Sequence, residues 1–558
     1  MSDEMTLKEG FARKSEVESV EHAETLSITT GNHMARTRRR WSRSSQDKRH
    51  KGQNLADNVH EAVTFDYISP GQLYSTESGR LFHAGKILVV LVGLPATSKT
   101  LLSVAITRYT KWLGVRTWSF HVSEYRRRMA GVGLEEFPID YFSARPQTAE
   151  GSKVRNQILD QVSKDMLAYF KEGKGQLAVY DALNILAEER VQLNQQFMEM
   201  GIKVLFIESV MNDSELIKHN VEQASKSADY VGWSKENAIA DYVHRIKINK
   251  QLYEPMTREE QLSYVKYINF GEQLIVNNNH FGYLVNKIVF FLMNLGEKKG
   301  CVYFARCGTS KDDKYIRDEV LNEEGLQYSE VLTDLVLKTI NARRLTKSKN
   351  AVIESWKNSP KIRAASSGPA SPSPSPLIPT HETLRRSEST GNTSVRQPAT
   401  GDGGDEDSFV VWTAPRKRTF DTAKFFLEKG ITVRQKSQLQ QLHPGLVADL
   451  SKSQIKEKFP EEYREWKKDP YHYRFPRAES YHDLAVRMEP LLLEMERMRG
   501  DILIIGHEST LRVLYGYLMA CSCSDIPSLQ FTRDELIEIS FGPFENKVRK
   551  VPMPSYRK

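Results

Sequence analysis

Eight consecutive residues have the types and spacing that could bind a phosphate group. The pattern G-x-x-x-x-G-K-[ST] is matched, except at its second glycine, by Gly93-Leu94-Pro95-Ala96-Thr97-Ser98-Lys99-Thr100. In such a loop the backbone amides curl round a phosphate, the lysine neutralises charge and the hydroxyl ligates Mg²⁺. The sequence therefore predicts a phosphate-binding loop in which Lys99 is catalytic and Thr100 is a metal ligand.

Two residues decide how well this loop could work. Ser98 stands where the pattern has glycine, and a side chain there costs about 1 kcal/mol if the backbone φ is positive. Asp181 ends an apolar run, and a carboxylate at the carboxyl end of a parallel strand faces the ligand crevice. We expect Asp181 to be a second Mg²⁺ ligand or a base. The competing interpretation is a turn without a ligand, followed by an aspartate that caps a turn.

Continuous apolar runs predict the elements that position these groups. Residues 87–92 form such a run before Gly93, which is typical of a buried parallel strand. After the loop, apolar residues recur at helical spacing at Leu101, Ala105, Tyr109 and Trp112. Further apolar runs at 115–122, 177–180 and 204–207 predict further strands of this kind. We expect an α/β domain with a mostly parallel sheet covered by helices on both faces.

A second unit begins with the apolar run at 301–305 and continues with strands at 409–412 and 501–505. Residues 357–407 interrupt it with Ser-Pro repeats and a run of acidic residues, a composition that cannot bury enough apolar area to fold. We therefore predict a disordered N-terminal region at 1–80, a first domain at 81–298, and a second domain at 299–558 with a disordered insertion.

Composition favours a protein of the cell interior. The 558 residues contain no apolar stretch of about 18 residues and no secretory signal, and the four cysteines have no metal-ligand spacing. The net charge of +8 owes much to a basic run at residues 36–51, which is more typical of a solvated tail than of a binding surface. We expect a cytoplasmic protein that does not bind nucleic acid or membranes.

Many short motifs in one order resemble those of the bifunctional 6-phosphofructo-2-kinase/fructose-2,6-bisphosphatases, over about residues 85–550. The motifs are Gly93 to Thr100, Glu124-Tyr-Arg-Arg-Arg128, Tyr180-Asp-Ala-Leu-Asn184, Phe206-Ile-Glu-Ser209, Leu262-Ser-Tyr-Val-Lys266, Phe459-Pro-Glu-Glu-Tyr463 and Glu479-Ser-Tyr-His-Asp-Leu484. The resemblance implies a P-loop kinase-like domain with a parallel sheet, followed by a phosphoglycerate-mutase-like (histidine phosphatase) α/β domain.

The resemblance also implies a reaction and its ligands. The first domain would transfer phosphate from ATP, with Mg²⁺, to O2 of fructose 6-phosphate or a related sugar phosphate. Family positions that hold the sugar phosphate match Arg126, Arg127, Arg155 and Tyr264, and planar guanidinium groups suit phosphate. Without this context, the Tyr-Arg-Arg-Arg run would be interpreted as a solvated basic edge.

The first domain departs from the family at charged and hydroxyl positions. The family sequence Asp-Ala-Thr-Asn-Thr-Thr-Arg is replaced by residues 181–187, with Leu183 and Ala187 at its first threonine and its arginine. A family lysine aligns with Ala224. Because phosphoryl transfer depends on positioning and charge stabilisation, and one lost donor can cost roughly 10²–10³ in rate, we expect weak kinase activity or none.

The second domain lacks the residues that perform hydrolysis. The family opens its site with Arg-His-Gly-Glu, whose histidine attacks phosphorus, and here Arg306 is followed by Cys307. The family acid aligns with Gln441, which cannot protonate a leaving oxygen. Arg306, Arg418, His507 and, less clearly, Arg474 and Arg477 would remain as an anion-binding shell. We expect this degenerate phosphatase site to bind a phosphate ester without cleaving it.

Several alternatives stay open. The chain could be a kinase whose phosphatase-like second domain is a regulatory remnant without activity. It could also be a pseudoenzyme that senses ATP or sugar phosphate, or, least favoured, a nucleic-acid-associated protein. A homodimer is compatible with the sequence. Ser387 and Ser389 follow two arginines in the insertion, a pattern that basophilic protein kinases recognise.

Overall fold

Two sheets of six strands organise the part of the chain that the computed structural model describes. These residues are 70–71, 85–130, 138, 140–173, 175–278, 282–358, 408–542 and 546–555. The predicted basic region 1–80, apart from residues 70–71, and positions 359–407 of the predicted insertion, with their candidate phosphorylation sites, lie outside the described residues.

The first sheet has the strand order β2-β3-β1-β4-β5-β6, and only its last pair is antiparallel. Its strands are β1 (Lys86–Val92), β2 (Thr117–His121), β3 (Leu177–Asp181), β4 (Ile202–Val210), β5 (Tyr264–Ile268) and β6 (Gln273–Asn277). The four strands predicted from apolar runs are confirmed. Strand β1 lies in the middle of the sheet and is buried from Ile87 to Val92, since a central parallel strand is covered on both faces.

Helices cover this sheet and carry the chain between parallel strands. They are α1 (Lys99–Trp112), α2 (Val122–Ala130), α3 (Ala149–Lys171), α4 (Ala187–Glu199), α5 (Ser214–Ala224), α6 (Lys235–Lys250) and α7 (Tyr283–Asn294). Helix α1 follows the phosphate loop directly and buries Ala105, Tyr109 and Trp112, as the spacing predicts. The carboxyl ends of β1 and β3 therefore meet at one edge, where α/β sheets bind ligands.

The second sheet has the order β12-β11-β7-β10-β8-β9, parallel except at β11 and β12. Its strands are β7 (Cys301–Arg306), β8 (Phe409–Thr413), β9 (Thr432–Gln435), β10 (Asp501–Gly506), β11 (Glu535–Phe541) and β12 (Asn546–Pro552). The predicted strands β7, β8 and β10 are confirmed, and β10 is buried throughout between them. The chain thus has the α/β architecture that the sequence predicts, in two units.

Seven helices of the described residues pack around the second sheet. They are α8 (Glu323–Asn358), α9 (Lys417–Asp421), α10 (Lys424–Glu428), α11 (Lys452–Lys458), α12 (Pro460–Lys468), α13 (Tyr481–Arg497) and α14 (Glu508–Leu518). Helix α8 reaches Asn358, so the predicted insertion begins inside a helix. Among the helices that the structure describes, none is long and apolar enough to cross a bilayer.

The two units share a buried interface centred on α1 and α13. Tyr109 of α1 donates a hydrogen bond of 2.9 Å from its hydroxyl to Glu489 of α13. Next to it, Arg108 donates a hydrogen bond of 2.5 Å to Glu496 of α13, and both side chains are almost fully buried. A buried ion pair of this kind destabilises strongly when one partner loses its charge, because the other is left uncompensated.

We predict that Glu496→Gln lowers the free energy of unfolding by roughly 3–5 kcal/mol. Burial alone would raise the pKa of Glu496, but the charges of Arg108 and Lys298 lower it below its ordinary value of 4.5. The stabilisation is therefore fully present above pH 4.5 and is lost as the pH falls through the lowered pKa. Urea unfolding as a function of pH measures both effects.

The matched control is Glu428→Gln, which removes the charge from an ion pair with Lys424 in which both side chains are more than half exposed. Exposed pairs contribute about 0–1 kcal/mol, so this variant should unfold like the wild type. A neutral Glu496→Gln variant would contradict the importance of the buried pair.

Candidate functional site

The phosphate loop turns sharply between β1 and α1. Gly93 has φ 144°, and a Cβ there would lie 2.6 Å from the carbonyl oxygen of Ser209. Only glycine therefore fits at the start of the loop. Ala96 and Ser98 also have positive φ, at 67° and 60°. Two residues with side chains thus hold left-handed conformations in the predicted loop.

A side chain of α5 bridges these two strained positions. Asn220 Nδ2 donates to the carbonyl oxygen of Ala96 at 2.8 Å and to Ser98 Oγ at 3.0 Å. The amide of Ala96 donates in turn to the hydroxyl of Tyr242 at 3.3 Å. The expected strain at Ser98 is therefore present, and the serine hydroxyl that accompanies it supplies a hydrogen bond that glycine could not accept.

Lys99 closes over the loop from its own helix. Its Nζ donates to the carbonyl oxygens of Gly93 and Leu94 at 2.7 and 2.6 Å. Burial lowers the pKa of Lys99 to about 8, against the opposing charge of Asp181. The amine is thus still mostly protonated at neutral pH, and a phosphate group could replace the two carbonyl oxygens as its partner.

Asp181 meets Thr100, as the sequence predicts. Thr100 Oγ1 donates to Asp181 Oδ2 at 2.7 Å, so a hydroxyl and a carboxylate stand together at the crevice. These hard oxygen ligands suit Mg²⁺, which usually takes one or two protein ligands plus water and phosphate oxygens. No cluster of three or more His, Cys, Asp or Glu side chains that could hold a metal occurs within the described ranges.

Sequence reasoning missed His121, which lies beside Asp181. The register of β2 on β3 pairs the two residues, and His121 Nδ1 lies 2.8 Å from Asp181 Oδ2. Burial would raise the pKa of Asp181, but the hydrogen bond and charge of His121, then Lys99, lower it overall. Asp181 is therefore held as a carboxylate. The sequence offered one indication of this contact. His121 lies near the end of the run 115–122, which forms the strand next to that of Asp181.

A cavity of about 490 Å³ opens beyond Lys99 and Thr100. Arg126 and Arg155 line it, as expected of a sugar-phosphate site, and Arg245 joins them. Arg126 pairs with Asp229, and Arg155 lies 4.0 Å from Glu189. The cavity can take an anion only by drawing these guanidinium groups away from their carboxylates.

Two predicted sugar-phosphate residues lie elsewhere. Arg127 does not line this cavity, but it donates at 2.9 Å to Asp229, which does. Tyr264 is buried in strand β5 within the hydrophobic core and does not line the cavity. Successive helical residues point in different directions, and strand residues alternate between faces, so the Tyr-Arg-Arg-Arg run and the Tyr264 motif could not place every member at one site.

A second cavity, of about 240 Å³, lies on the other side of the phosphate loop. Lys99 and Thr100 line both cavities, so a phosphoryl group could pass between a nucleotide on one side and an acceptor on the other. Ala224 lines the second cavity and Leu183 the first, where the family has lysine and threonine. Lys226, which stands near the missing lysine, is exposed and lines neither cavity.

The predicted phosphatase residues come together in a cavity of about 310 Å³ at the carboxyl ends of β7 and β10. It is lined by Arg306, Cys307, Arg418, Gln441 and His507, all expected from the sequence. Sequence reasoning missed the other residues that line it, among them Tyr481, Arg512, Arg533 and the carboxylates of Asp313 and Glu508. Arg474 does not line this cavity; it pairs with Asp483 and its side chain is mostly exposed, and Arg477 does not line it either.

Cys307 lies where a nucleophile would stand. Its Sγ is 3.7 Å from His507 Nδ1, and its carbonyl oxygen accepts from Arg533 Nε at 2.7 Å. Gln441 accepts hydrogen bonds from Arg416 and Arg418 at 3.0 and 3.2 Å, so its amide fills the place of an acid. The cavity presents the cations of Arg306, Arg418, Arg512 and Arg533, together with the carboxylates of Asp313 and Glu508 that pair with them.

The positive charge of this cavity affects the pKa of His507. Burial and then the charges of Arg418, Arg416, Arg306 and Arg533 lower the pKa of His507 well below 6.5. His507 is 4% exposed and its Nε2 has no hydrogen-bond partner in the structure. A neutral imidazole beside several guanidinium groups, of which Arg418 and Arg533 share the single carboxylate of Asp313, marks a place where an anion would be stabilised.

Family comparisons match both units. The 6-phosphofructo-2-kinase family model matches residues 74–299, and the model of the histidine phosphatase superfamily (branch 1) matches residues 404–553. The second match starts at residue 404, near the end of the predicted insertion, and so leaves out β7 with Arg306 and Cys307.

Relatives align with almost the whole chain. A Saccharomyces cerevisiae protein, provisionally named 6-phosphofructo-2-kinase/fructose-2,6-bisphosphatase, is 54% identical over 529 residues, or 94% of each chain. The Gallus gallus 6-phosphofructo-2-kinase/fructose-2,6-bisphosphatase is 29% identical over 449 residues, covering 79% of this chain and 80% of its own. Among solved structures, a mycobacterial glucosyl-3-phosphoglycerate phosphatase aligns at 18% identity and a TM-score of 0.28, covering 46% of this chain and 98% of its own.

We predict that Asn220→Ala weakens binding of Mg·ADP about five- to thirtyfold, because it removes two hydrogen bonds of about 1 kcal/mol each that fix the loop. In a Ser98→Gly background the loss should be smaller, since glycine adopts the left-handed conformation without support. Calorimetric titration of the four proteins gives the double-mutant cycle.

The control for this cycle is Lys218→Ala, an exposed position on the same helix. It should bind Mg·ADP like the wild type. An equal loss from Asn220→Ala in both backgrounds would show that Asn220 does not act through Ser98.

Proposed function

Because the chain belongs to the 6-phosphofructo-2-kinase/fructose-2,6-bisphosphatase family, we propose that it is an ATP-binding protein of fructose 2,6-bisphosphate metabolism with weak kinase activity and no phosphatase activity. Its first domain would span residues 81–298 and its second 299–558. Its sugar ligand would be fructose 6-phosphate or a related sugar phosphate, and its location the cytoplasm.

The observation that carries this proposal is the contact between Thr100 and Asp181 next to Lys99. Three groups that a kinase needs for Mg²⁺ and phosphate stand together at the crevice, although Asp181 lies 81 residues after Thr100 in the sequence. Lys99 supplies a cation for the transferred phosphate, and the two oxygen ligands hold the metal that ATP brings. His121 keeps Asp181 charged for that task.

Weak transfer follows from what is missing around these groups. Leu183, Ala187 and Ala224 stand at family positions that carry hydroxyl or cationic groups, and apolar side chains cannot stabilise charge in the transition state. Arg126 and Arg155 are engaged by Asp229 and Glu189, so they neutralise a bound sugar phosphate only partly. We infer that the protein binds its substrates better than it converts them.

Loss of the phosphatase follows from Cys307 and Gln441. Hydrolysis in this family needs an imidazole to take the phosphoryl group and an acid to protonate the leaving oxygen, and neither stands in its place. The arginine shell is intact, so a phosphate ester would still be held. This pattern also supports the second candidate, a pseudoenzyme that senses ATP or sugar phosphate and regulates carbohydrate metabolism without turnover.

A homodimer would be compatible with this function. Regulatory protein kinases that act on residues 357–407 would be compatible with it too, and mapping of phosphorylated residues in the native protein tests this second expectation.

The test is a coupled assay of the purified full-length chain with ATP, Mg²⁺ and fructose 6-phosphate. We expect slow formation of fructose 2,6-bisphosphate that Lys99→Ala abolishes, because the buried cation is lost, while the exposed Lys171→Ala control keeps the rate. The same preparation, given fructose 2,6-bisphosphate, should release no phosphate.

The outcomes separate the two candidates. Binding of ATP without product supports the sensor, and phosphate release that survives Lys99→Ala would contradict the lost phosphatase. Absence of any affinity for Mg·ATP would overturn both candidates, since each requires a nucleotide.

A further inference from the structure

Two helices connect the arginine cavity of the second domain to the helix that carries the phosphate loop. Helix α13 begins at Tyr481, which lines that cavity, and runs to Glu496 at the interface. Helix α14 begins directly after His507, which also lines the cavity, and carries Tyr517. Both helices thus start at one site and end at the other.

Their far ends meet on Arg108 of α1. Glu496 Oε1 accepts hydrogen bonds from Arg108 at 2.5 Å and from the hydroxyl of Tyr517 at 2.8 Å. The guanidinium carbon of Arg108 also lies 5.2 Å from the centre of the Tyr517 ring. All three side chains are at least nine-tenths buried. A shift of either helix therefore moves a partner of Arg108. Arg108 must then follow, because a buried charge that loses its partner is strongly destabilised.

Two members of this cluster, but not Tyr517, are part of the wall of the nucleotide-side cavity. Arg108 and Glu496 line that cavity together with Ser98 and Lys99 of the phosphate loop. Lys298, which follows α7, completes the wall and lies 3.9 Å from Glu496. The second domain thus contributes directly to the site where nucleotide would bind.

At the near ends, the arginines are held by partners that an anion would replace. Arg512 of α14 donates to Tyr481 and to Glu508, both at 2.8 Å. Arg418 donates to Asp313 at 2.7 Å. A phosphate group in the cavity would compete with these carboxylates for the same guanidinium donors. Because Arg512 joins the first turns of α13 and α14, its change of partner would act on both helices.

We propose that the cavity of the second domain is an effector site: a phosphomonoester bound there changes the affinity of the first domain for nucleotide. The inference rests on the proposed nucleotide function of the first domain and gives the second domain a role that needs no hydrolysis. The ligand class is a phosphate dianion, free or on a sugar, since Arg306, Arg418 and Arg533 line the cavity and offer planar guanidinium donors that suit phosphate oxygens.

Thermodynamic linkage requires the coupling between the two sites to be reciprocal. If phosphate changes the nucleotide Kd by a given factor, nucleotide must change the phosphate Kd by the same factor. Couplings between sites are typically about 5–150-fold. Two independent titrations should therefore give one number.

The experiment uses the full-length chain and measures the Kd of Mg·ADP by calorimetry at saturating inorganic phosphate and without it, and again with fructose 6-phosphate. We expect a change of about fivefold or more. Agreement between the two probes assigns recognition to the phosphate group alone, and an effect of fructose 6-phosphate only assigns it to the sugar ester. Either result supports the effector site, provided that Arg418→Met abolishes the change.

Two variants separate this coupling from binding in the first domain. Arg418→Met removes a donor from the cavity of the second domain and leaves the first domain unchanged. Phosphate therefore competes with nucleotide at the phosphate loop equally in the variant and the wild type. Only the effect that arises in the second domain disappears. Tyr517→Phe keeps the cavity and removes one hydrogen bond to Glu496. It should reduce the coupling while each Kd measured alone stays within about twofold, and it remains informative if Arg418→Met fails to fold.

Several results would overturn the inference. A change in Kd that persists in Arg418→Met arises in the first domain. A change below about twofold in the wild type, with both ligands shown to bind, removes the effector role but leaves the proposed nucleotide function intact. Failure of Mg·ADP to bind removes both.

Discussion

The nucleotide chemistry of this protein depends on the conformation of six residues between β1 and α1. Gly93 is forced by the carbonyl of Ser209, whereas Ala96 and Ser98 hold left-handed conformations that side chains disfavour. Asn220 compensates by binding both. If this bridge holds the turn, Lys99 and Thr100 stand at the crevice with Asp181; if the turn relaxed, the amides and the metal ligands would separate.

The two domains have diverged from their family in complementary ways. In the first, the lysine, hydroxyl and carboxylate remain, and the surrounding donors are reduced at Leu183, Ala187 and Ala224. In the second, the surrounding arginines remain and the reacting group is replaced by Cys307. On the function we propose, each domain keeps the means to bind phosphate and loses part of the means to transfer it. A protein whose value lies in binding would tolerate this pattern, since positioning and charge stabilisation make up most of phosphoryl-transfer catalysis.

The sequence predicted the parts of the fold and site that local patterns determine. Buried parallel strands gave continuous apolar runs, so β1, β3, β4, β7 and β10 were predictable, and the phosphate loop followed from its position between β1 and α1. Contacts between distant segments were not predictable. His121 reaches Asp181 through strand register, and Asn220 reaches Ser98 through the packing of α5.

The structure separates some residues that the family resemblance grouped at one site. Arg127 does not line the first cavity although it and Arg126 both pair with Asp229, and Tyr264 is buried in a strand in which Val265 and Tyr267 are buried too. Arg533 and Arg512 gave no motif, because an anion site assembled from the ends of several elements has no fixed spacing. The interface pair of Arg108 and Glu496 is 388 residues apart in the chain and was equally invisible.

Hydrogen–deuterium exchange of residues 93–100, with and without saturating Mg·ADP, tests the central claim most directly. If the serine-containing turn still closes its amides about phosphate, exchange of the amides at the start of α1 slows markedly when nucleotide is added, while the exposed helices α11 and α12 are unchanged. Exchange in the loop that stays the same at all nucleotide concentrations would contradict the account, and the first domain would then be a scaffold.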